Sequence, residues 1–149
     1  MNDNERLVKQ YPWLTPTNRW TGKVVEDYDY SWTELDAMPS GWLAAFGEAM
    51  CEDINKVLMT WPESVRKEFR IIQIKEKYGE LRFYTNCTTE ELGKVIQKYT
   101  DLSRKTCIVC GAPATRVTTG WISPYCDNCV SKDENSVPIK KWLEEGDIK

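Results

Sequence analysis

Residues 107–129 read CIVCGAPATRVTTGWISPYCDNC, and this stretch decides the fold because it carries four of the six cysteines in the chain. They form two Cys-x-x-Cys pairs, Cys107 with Cys110 and Cys126 with Cys129. Each pair places two thiolates on one side of a tight turn, and two facing turns supply the tetrahedral ligand set that Zn²⁺ accepts at about 2.3 Å. The pattern predicts a zinc ribbon with these four cysteines as ligands.

The residues between the pairs also favour a ribbon. Gly111 directly follows the first pair, where a knuckle needs a residue free to adopt positive φ. Residues 115–118 and 121–123 flank Thr119 and Gly120, which predicts a hairpin with glycine at its turn. Two alternatives are disfavoured. A redox Cys-x-x-Cys is expected near a βαβ pattern, which the sequence does not show, and paired disulfides need an oxidising compartment, to which nothing in the sequence directs the chain. Because cysteine fills every coordination position, we expect one zinc ion with a structural role.

Composition limits the classes of function. The chain has 149 residues, 41% hydrophobic and 29% charged, which is typical of one globular domain. The absence of histidine excludes Ser-His-Asp, Cys-His and histidine-based nuclease sites, and we expect no enzyme. No apolar run is long enough to cross a membrane, and the polar start lacks a signal peptide. A cytoplasmic location is therefore predicted, with Cys51 and Cys87 as free thiols.

Charge is distributed unevenly along the chain. Residues 24–55 contain eight acidic residues and no lysine or arginine, whereas residues 56–116 contain twelve basic and seven acidic residues. A segregated charge of this kind can orient a partner or a ligand. A dipolar but merely solvated surface is the alternative, and the sequence leaves both open.

The remaining pattern predicts an α+β fold in which two or three helices pack on a small antiparallel sheet, the hairpin 69–85, with the zinc ribbon as a C-terminal sub-module. We divide the chain into an aromatic, proline-rich arm (1–40), an α+β core (41–103), the ribbon (104–132) and a linker with a short helix (133–149), all within one cooperative domain. The arm is expected to hold a helix near residues 5–10 and a strand at 23–25. Whether it belongs to the core or to an interface stays open.

Helical periodicity marks three further helices. Ser40 is expected to cap the first, which has an apolar stripe of Leu43, Phe46, Met50, Ile54 and Val57. Thr88 and Glu91 predict a capping box for the second, whose stripe comprises Leu92, Val95, Ile96, Tyr99 and Leu102. The third is expected over residues 137–145, with Trp142 as its anchor.

Strand propensity predicts the hairpin. Residues 69–75 and 80–85 are rich in β-branched and aromatic residues, with Tyr78 and Gly79 in the turn between them. We expect Ile72 and Ile74 to share one face of the first strand. In the second strand Leu81 and Phe83 are expected to share a face, opposite Arg82 and Tyr84.

The hairpin and the ribbon together carry a resemblance. KEKYGELRFY at residues 75–84, followed by CxxCGAP and GWISPYCDNC, resembles a family of small uncharacterised phage and bacterial proteins with a KEKFGxLRFY-like hairpin before a CxxCG…GW…CDxC zinc-ribbon tail. LDAMPSGW at residues 35–42 is similar to the segment before the first helix of that family, so the likeness covers about residues 20–130. Many relatives have histidine where Cys129 stands, which supports this position as a ligand. The resemblance implies a phage or prophage origin and supplies no activity.

Three functions remain in view. The first is a non-enzymatic protein that docks on a host or cellular protein and modulates or inhibits it. The second is binding of a nucleotide or nucleic acid through the basic middle of the chain, which comprises Arg70, Lys75, Arg82, Arg104, Lys105 and Arg116, although the sequence pI of 5.2 disfavours a nucleic-acid polymer. The third is a carboxylate-only metal enzyme using Glu26, Asp27, Asp29 and Asp36.

The residues expected to bind a partner or ligand lie on the hairpin and the ribbon. Arginine and lysine beside aromatic rings suit an anionic or planar ligand, and cross-strand ion pairing on a solvated face is the alternative. The candidates are Lys75, Lys77, Tyr78, Arg82, Tyr84, Arg116 and Trp121. The sequence leaves the oligomeric state open.

Overall fold

A computed structural model describes residues 2–145 and confirms the predicted α+β class. Helix α2 is continuous and consists of Ser40–Trp42, a π-helical turn over Leu43–Gly47, and Glu48–Leu58. The other α-helices and strands are α1 (Asp3–Gln10), α3 (Glu63–Arg66), β1 (Ile71–Lys77), β2 (Glu80–Thr85), α4 (Glu90–Ser103), β3 (Arg116–Thr118), β4 (Pro124–Tyr125), β5 (Ser136–Pro138) and α5 (Ile139–Glu145). Short 3₁₀ helices cover Pro12–Leu14 and Glu34–Ala37. None of the helices in these residues is long and apolar enough to cross a membrane.

Helix α2 packs against α4, and α4 packs against strand β2, so that these elements enclose the main hydrophobic core. On α2 the predicted residues Phe46, Met50 and Ile54 are buried, while Leu43 and Val57 are half-buried. Ser40 does not cap this helix, because it already adopts the first helical position after Pro39. Its hydroxyl instead donates to the carbonyl of Val109, 3.2 Å away in the ribbon.

The N-terminal arm contributes aromatic side chains to the same core. Tyr11 and Trp13 are buried, and Trp13 Nε1 donates to Asn55 Oδ1 on α2 at 3.1 Å. The expected helix near residues 5–10 lies within α1, whereas the expected strand at 23–25 is reduced to a single bridge between Thr17 and Val24. Part of the arm is therefore core, although the predicted segment boundaries stay a prediction.

The β1–β2 hairpin closes through a two-residue turn. Tyr78 and Gly79 have φ of +55° and +75°, as in the type I′ turns whose twist matches that of paired strands. The predicted alternation in β2 is confirmed, since Leu81 and Phe83 face the core and Arg82 and Tyr84 do not.

The predicted pairing of Ile72 with Ile74 on one face of β1 is wrong. Strand β1 begins at Ile71, and its register with β2 shifts between Ile71 and Gln73. Because a bulge adds one residue to the alternation, Ile71 and Ile74 both face the core and Ile72 is 48% exposed.

Helix α4 differs from its prediction at both ends. The N-cap is Thr89, whose hydroxyl accepts from Leu92 N at 3.2 Å. The predicted capping box of Thr88 with Glu91 is therefore wrong, because it places the N-cap one residue too early. Leu92 and Tyr99 are buried and Val95 and Ile96 are half-buried as expected, but Leu102 is exposed. The buried position in the last turn belongs to Ser103, whose hydroxyl accepts from Leu81 N at 2.9 Å.

The ribbon is a three-stranded sheet in the order β4-β3-β5. The hairpin of β3 and β4 has a longer loop than predicted, because the second strand lies at Pro124–Tyr125 and not at 121–123. Strand β5 was not predicted, and the last helix begins at Ile139 because residues 136–138 pair with β3. Trp142 is buried as expected, in a second cluster with Val117.

Candidate metal centre and adjoining cleft

The four ribbon cysteines converge on one point. All four Sγ atoms lie within 4.8 Å of one another, and Cys110 Sγ is 3.6 Å from Cys126 Sγ. A tetrahedron with metal–sulfur bonds of about 2.3 Å has edges of about 3.8 Å, so the set fits one metal ion. Among residues 2–145 it is the one group of three or more potential ligands with such a geometry, and none of the six cysteines forms a disulfide.

Two backbone turns aim the sulfur atoms. In the first knuckle Gly111 has a φ of +86°, as expected, and its N–H donates to Cys107 O at 3.0 Å. In the second, the N–H of Cys129 donates to Cys126 O at 3.1 Å. Ile108 N donates to Pro124 O at 3.0 Å, which ties the two knuckles together. The ligand geometry is thus built into the backbone.

The four ribbon thiols differ in how readily they ionise. Burial raises the pKa of Cys107, but backbone N–H groups of Cys110, Cys126 and Val109 outweigh burial and lower this pKa to about 6. The pKa of Cys129 is raised to about 12, first by its hydrogen bond with Cys126 and then by burial. One thiolate therefore forms readily while another resists ionisation. A divalent cation supplies the charge that deprotonates a coordinating thiol.

The first knuckle lies directly against the start of α2. Gly41 N donates to Ile108 O at 3.0 Å, and Trp42 Nε1 donates to Thr106 O at 3.0 Å. A Cβ atom on Gly41 would lie 2.2 Å from Cys107 O, so only glycine allows this approach. The metal centre consequently fixes the beginning of the main core helix as well as the ribbon.

Other candidate reactive groups are not arranged as a site. Two of the four acidic residues predicted as metal ligands serve local turns, since Asp36 Oδ2 accepts from Thr33 N and Asp29 Oδ1 accepts from Ser31 N, both at 3.1 Å. Among residues 2–145 Glu26 and Asp27 belong to no group of three or more converging ligands. Cys51 is fully buried, and burial raises its pKa to about 12, which leaves it an unreactive thiol.

A cleft of about 380 Å³ lies between the hairpin turn and the ribbon loop. Its lining consists of Glu76, Lys77, Tyr78, Gly120, Trp121 and Ile122. Tyr78 is 65% exposed and Trp121 is 76% exposed, so the structure brings together two of the three predicted aromatic candidates as exposed lining of one opening, and Tyr84 does not line it. We call this opening the hairpin–ribbon cleft.

The base of the hairpin–ribbon cleft is packed tightly. A Cβ atom on Gly79 would lie 3.2 Å from Ile122 O and 3.3 Å from both Pro124 Cδ and Trp142 Cη2. Glu76 Oε2 accepts from Gly79 N at 2.9 Å, which adds a side-chain bond to the turn. The sequence gives no sign of these contacts, because they join three separate elements.

The other candidates have different positions. Lys75 and Arg82 face each other across the hairpin, with Lys75 Nζ 5.8 Å from the centre of the Tyr84 ring. Arg116 lies within the ribbon sheet, where its Nε and Nη2 donate to the hydroxyl and carbonyl of Ser136 at 3.1 and 2.7 Å. Arg116 therefore has a role in strand pairing that the sequence did not reveal.

No family model, curated protein or solved structure matches the chain. The resemblance of the hairpin and ribbon to the phage and bacterial family consequently stays a prediction.

Proposed function

We propose that the protein is a non-enzymatic, zinc-stabilised binding protein that docks on another protein through the hairpin–ribbon cleft. One observation carries this function: Tyr78 and Trp121 protrude from two tightly packed loops into the same opening. Tyrosine and tryptophan are the residue types most enriched at the energetic centres of protein interfaces. Held on ordered loops, they lose little conformational freedom when a partner covers them.

Zinc is the metal that best suits the ribbon. Four thiolates in a tetrahedron favour Zn²⁺ over the hard cations Mg²⁺ and Ca²⁺, which prefer oxygen ligands. With four cysteines as ligands no position remains for water or substrate, which gives the metal a structural role. Pro124 lies two residues before Cys126 and contacts Gly79, so the metal also helps to fix the ribbon side of the cleft.

The two rings anchor a larger interface. Burying a tyrosine and a tryptophan covers about 300 to 500 Å², whereas a specific interface covers about 1,200 Å² or more in total. Tyr84, which is exposed on the same hairpin, and the side chains of Lys75 and Lys77 extend the surface. On the resemblance to phage proteins, we propose a host protein as the partner, whose activity the docking modulates or inhibits.

Site-specific photocrosslinking tests this function. A benzoylphenylalanine residue, which keeps an aromatic ring at the anchor position, is placed at position 121 in one variant. In another it is placed at Met59, an exposed apolar residue that does not line the cleft. We expect position 121 to yield one stoichiometric crosslinked protein from host lysate that position 59 does not yield. The crosslink should disappear when the unlabelled wild-type chain competes, but persist when the competitor is Trp121→Ala. Equal crosslinking from both positions would contradict the proposal.

A second candidate function, nucleotide binding, is favoured by one observation. Lys75 lies directly opposite Arg82, and like charges opposite each other destabilise a hairpin unless an anion bridges them. Arg82 has Glu80 at 3.8 Å, whereas Lys75 has no carboxylate within ion-pair distance among residues 2–145. Titration with a mononucleotide, a dinucleotide and single-stranded DNA distinguishes the two functions. Salt-sensitive binding that is lost in Lys75→Gln and Arg82→Gln would favour this candidate.

A further inference from the structure

A second opening, of about 350 Å³, lies in the N-terminal arm. Trp20, Trp32, Glu34 and Arg19 line it, and it shares no lining residue with the hairpin–ribbon cleft. Trp20 is 95% exposed, the highest value of any large apolar side chain in residues 2–145. We call this opening the tryptophan–carboxylate pocket.

The carboxylate of this pocket lacks a close partner. The side chain of Glu34 is only 6% exposed, and the structure shows no hydrogen bond to its carboxylate from residues 2–145. Its one charged neighbour in that part of the chain is Arg19, whose Nη2 lies 3.9 Å from Oε2, too far for a hydrogen bond. Burial raises the pKa of Glu34, and Arg19 offsets this only in part. A buried carboxylate in this state gains from a cation that binds it directly.

The tryptophans are presented by ordered backbone. Asn18 organises the loop that carries Trp20, because its Oδ1 accepts from Trp20 N at 2.8 Å and its O accepts from Gly22 N at 2.7 Å. The hydroxyl of Tyr28 donates to the carbonyl of Trp32. An indole face attracts a cation, and tryptophan does so more strongly than tyrosine or phenylalanine. Indole rings beside a buried carboxylate form a site for a guanidinium or ammonium group.

The surrounding charge selects the kind of partner. Exposed acidic residues lie in the same segment of the chain, namely Glu26, Asp27, Asp29 and Asp36, and residues 24–55 contain no basic side chain. The basic groups nearby are Arg19 and Lys23 in the loop, which are both exposed, and Arg70, which lines an adjoining opening. Arg70 Nη1 donates to the carbonyls of Lys67 and Phe69. The resulting field draws a positively charged segment towards the tryptophans and disfavours an acidic one.

We infer that the tryptophan–carboxylate pocket binds an arginine or lysine side chain from a basic segment of a partner protein. The incoming cation contacts the indole rings and pairs with Glu34, and Arg19 moves aside into solvent. This inference does not depend on the hairpin–ribbon cleft, because the two openings have separate linings.

Peptide titration followed by the indole N–H signals in NMR spectra tests the inference. The probes are three otherwise identical Gly/Ser-rich peptides with two central residues of arginine, of lysine, or of citrulline, the neutral analogue of arginine. We expect the arginine and lysine peptides to shift the Trp20 and Trp32 signals and the citrulline peptide to leave them unchanged. Equal binding of the citrulline peptide would overturn the inference.

Substitutions on both openings show whether the peptide binds at this pocket. Glu34→Gln and Trp20→Ala should each weaken the arginine peptide at least tenfold, whereas Trp121→Ala, in the other cleft, should bind it like the wild type. Because Trp20 is almost fully exposed, its replacement leaves the fold intact even if Glu34→Gln does not. Arg19→Gln removes the internal competitor and should tighten binding. Unchanged affinity in Trp20→Ala would contradict the proposed site.

Discussion

At the residue scale, Gly41 determines how closely the ribbon approaches helix α2. In most helices an alanine is more stable than a glycine by about 1 kcal/mol. At Gly41 the added Cβ would lie 2.2 Å from Cys107 O and 2.7 Å from Ile108 C, which are backbone atoms that cannot move independently. We therefore expect Gly41→Ala to lower the free energy of unfolding by more than about 2 kcal/mol, measured by urea denaturation.

The matched control is Gly93, which lies within α4. An added Cβ there meets no atom within 4 Å, so Gly93→Ala should stabilise the protein by about 0.5 to 1 kcal/mol. The same chemical change thus has opposite signs at the two positions. Similar effects of both substitutions would show that the contact between Gly41 and the first knuckle is not close in solution.

Tyr78 combines backbone strain with exposure. Its φ of +55° is unfavourable for an aromatic residue, whereas asparagine readily adopts this conformation before glycine in a type I′ turn. We expect Tyr78→Asn to raise the free energy of unfolding by about 1 kcal/mol and, at the same time, to weaken partner binding at the hairpin–ribbon cleft.

Thermal unfolding and the photocrosslinking yield from position 121 measure the two effects of Tyr78→Asn separately. Tyr84→Asn is the matched control, because Tyr84 lies in regular strand β2, where asparagine is disfavoured, and stability should fall. If Tyr78→Asn destabilised the protein, the tyrosine would have a packing role that its 65% exposure does not suggest.

At the scale of single elements, the sequence predicted features that depend on neighbouring residues better than features that depend on distant parts of the chain. The clustering of the cysteine pairs, the turn at Tyr78 and Gly79, and the burial of Leu92 and Tyr99 depend on residues close in sequence, and the structure confirms them. The bulge after Ile71 and the strand Ser136–Pro138 depend on partners elsewhere in the chain. No periodicity within a short segment encodes such pairing, so these features were missed.

The candidate sites divide in the same way. The convergence of the four cysteines that could hold a metal ion follows from their spacing alone, but the role of each aromatic residue does not follow from the sequence. Trp13, Trp42 and Trp142 are buried, whereas Trp20 and Trp121 are exposed, and their local sequences do not distinguish the two groups. The pocket around Glu34 was missed because the sequence shows an acidic residue without showing that its carboxylate is buried.

Asp53 joins the two main helices and makes stability depend on pH. Its carboxylate on α2 accepts from the Tyr99 hydroxyl on α4 and lies 3.1 Å from Lys98 Nζ. The Tyr99 hydrogen bond is the main cause that lowers the pKa of Asp53. A carboxyl group whose pKa is lowered by folding stabilises the folded state. This contribution is complete at pH values above the unfolded-state pKa of about 3.9 and disappears as the pH falls through the folded-state pKa.

We therefore expect Asp53→Asn to lower the free energy of unfolding by about 1 kcal/mol at pH 7 and by less at pH 3. This is below the range of about 1.5 to 3 kcal/mol for a hydrogen bond to a charged group, because Asp53 is partly exposed. Urea unfolding of wild type and variant at both pH values measures the difference. Glu52→Gln is the control, because Glu52 forms only an exposed pair with Lys56 at 3.6 Å and should have little effect. An effect of Asp53→Asn that grew towards pH 3 would contradict the sign of this pKa shift.

At the scale of the whole molecule, the candidate metal centre is connected to two parts of the core, the start of helix α2 and the turn of the β1–β2 hairpin. One connection is the bond from Gly41 N to Ile108 O, and the other is the contact of Gly79 with Trp142 and the ribbon loop. Arg104 reinforces the second, since its guanidinium lies 4.6 Å from the centre of the Trp142 ring. Loss of the metal should therefore weaken α2 and the hairpin together.

We predict that removal of zinc by a chelator lowers the midpoint of one cooperative thermal transition and does not melt the ribbon separately. Binding of structural zinc contributes about 10 kcal/mol or more of folding free energy to small zinc domains, so the shift of the midpoint should be large. In hydrogen exchange at neutral pH the Gly41 amide should lose its protection, because its acceptor Ile108 O is no longer held in place. Acidification should act in the same direction, since protons compete with the metal for the thiolates.

Cysteine variants separate the effect of the metal from the loss of a thiol. Cys126→Ser should reproduce the chelated state, whereas Cys87→Ser, at a half-buried position outside the ligand set, should retain one bound zinc and the wild-type transition. Native mass spectrometry counts the metal in each variant. If the core melted at the same temperature with and without zinc, the ribbon would be an independent module. The contact between Gly41 and the first knuckle would then contribute nothing to the stability of α2, because a rigid connection between two elements necessarily couples their unfolding.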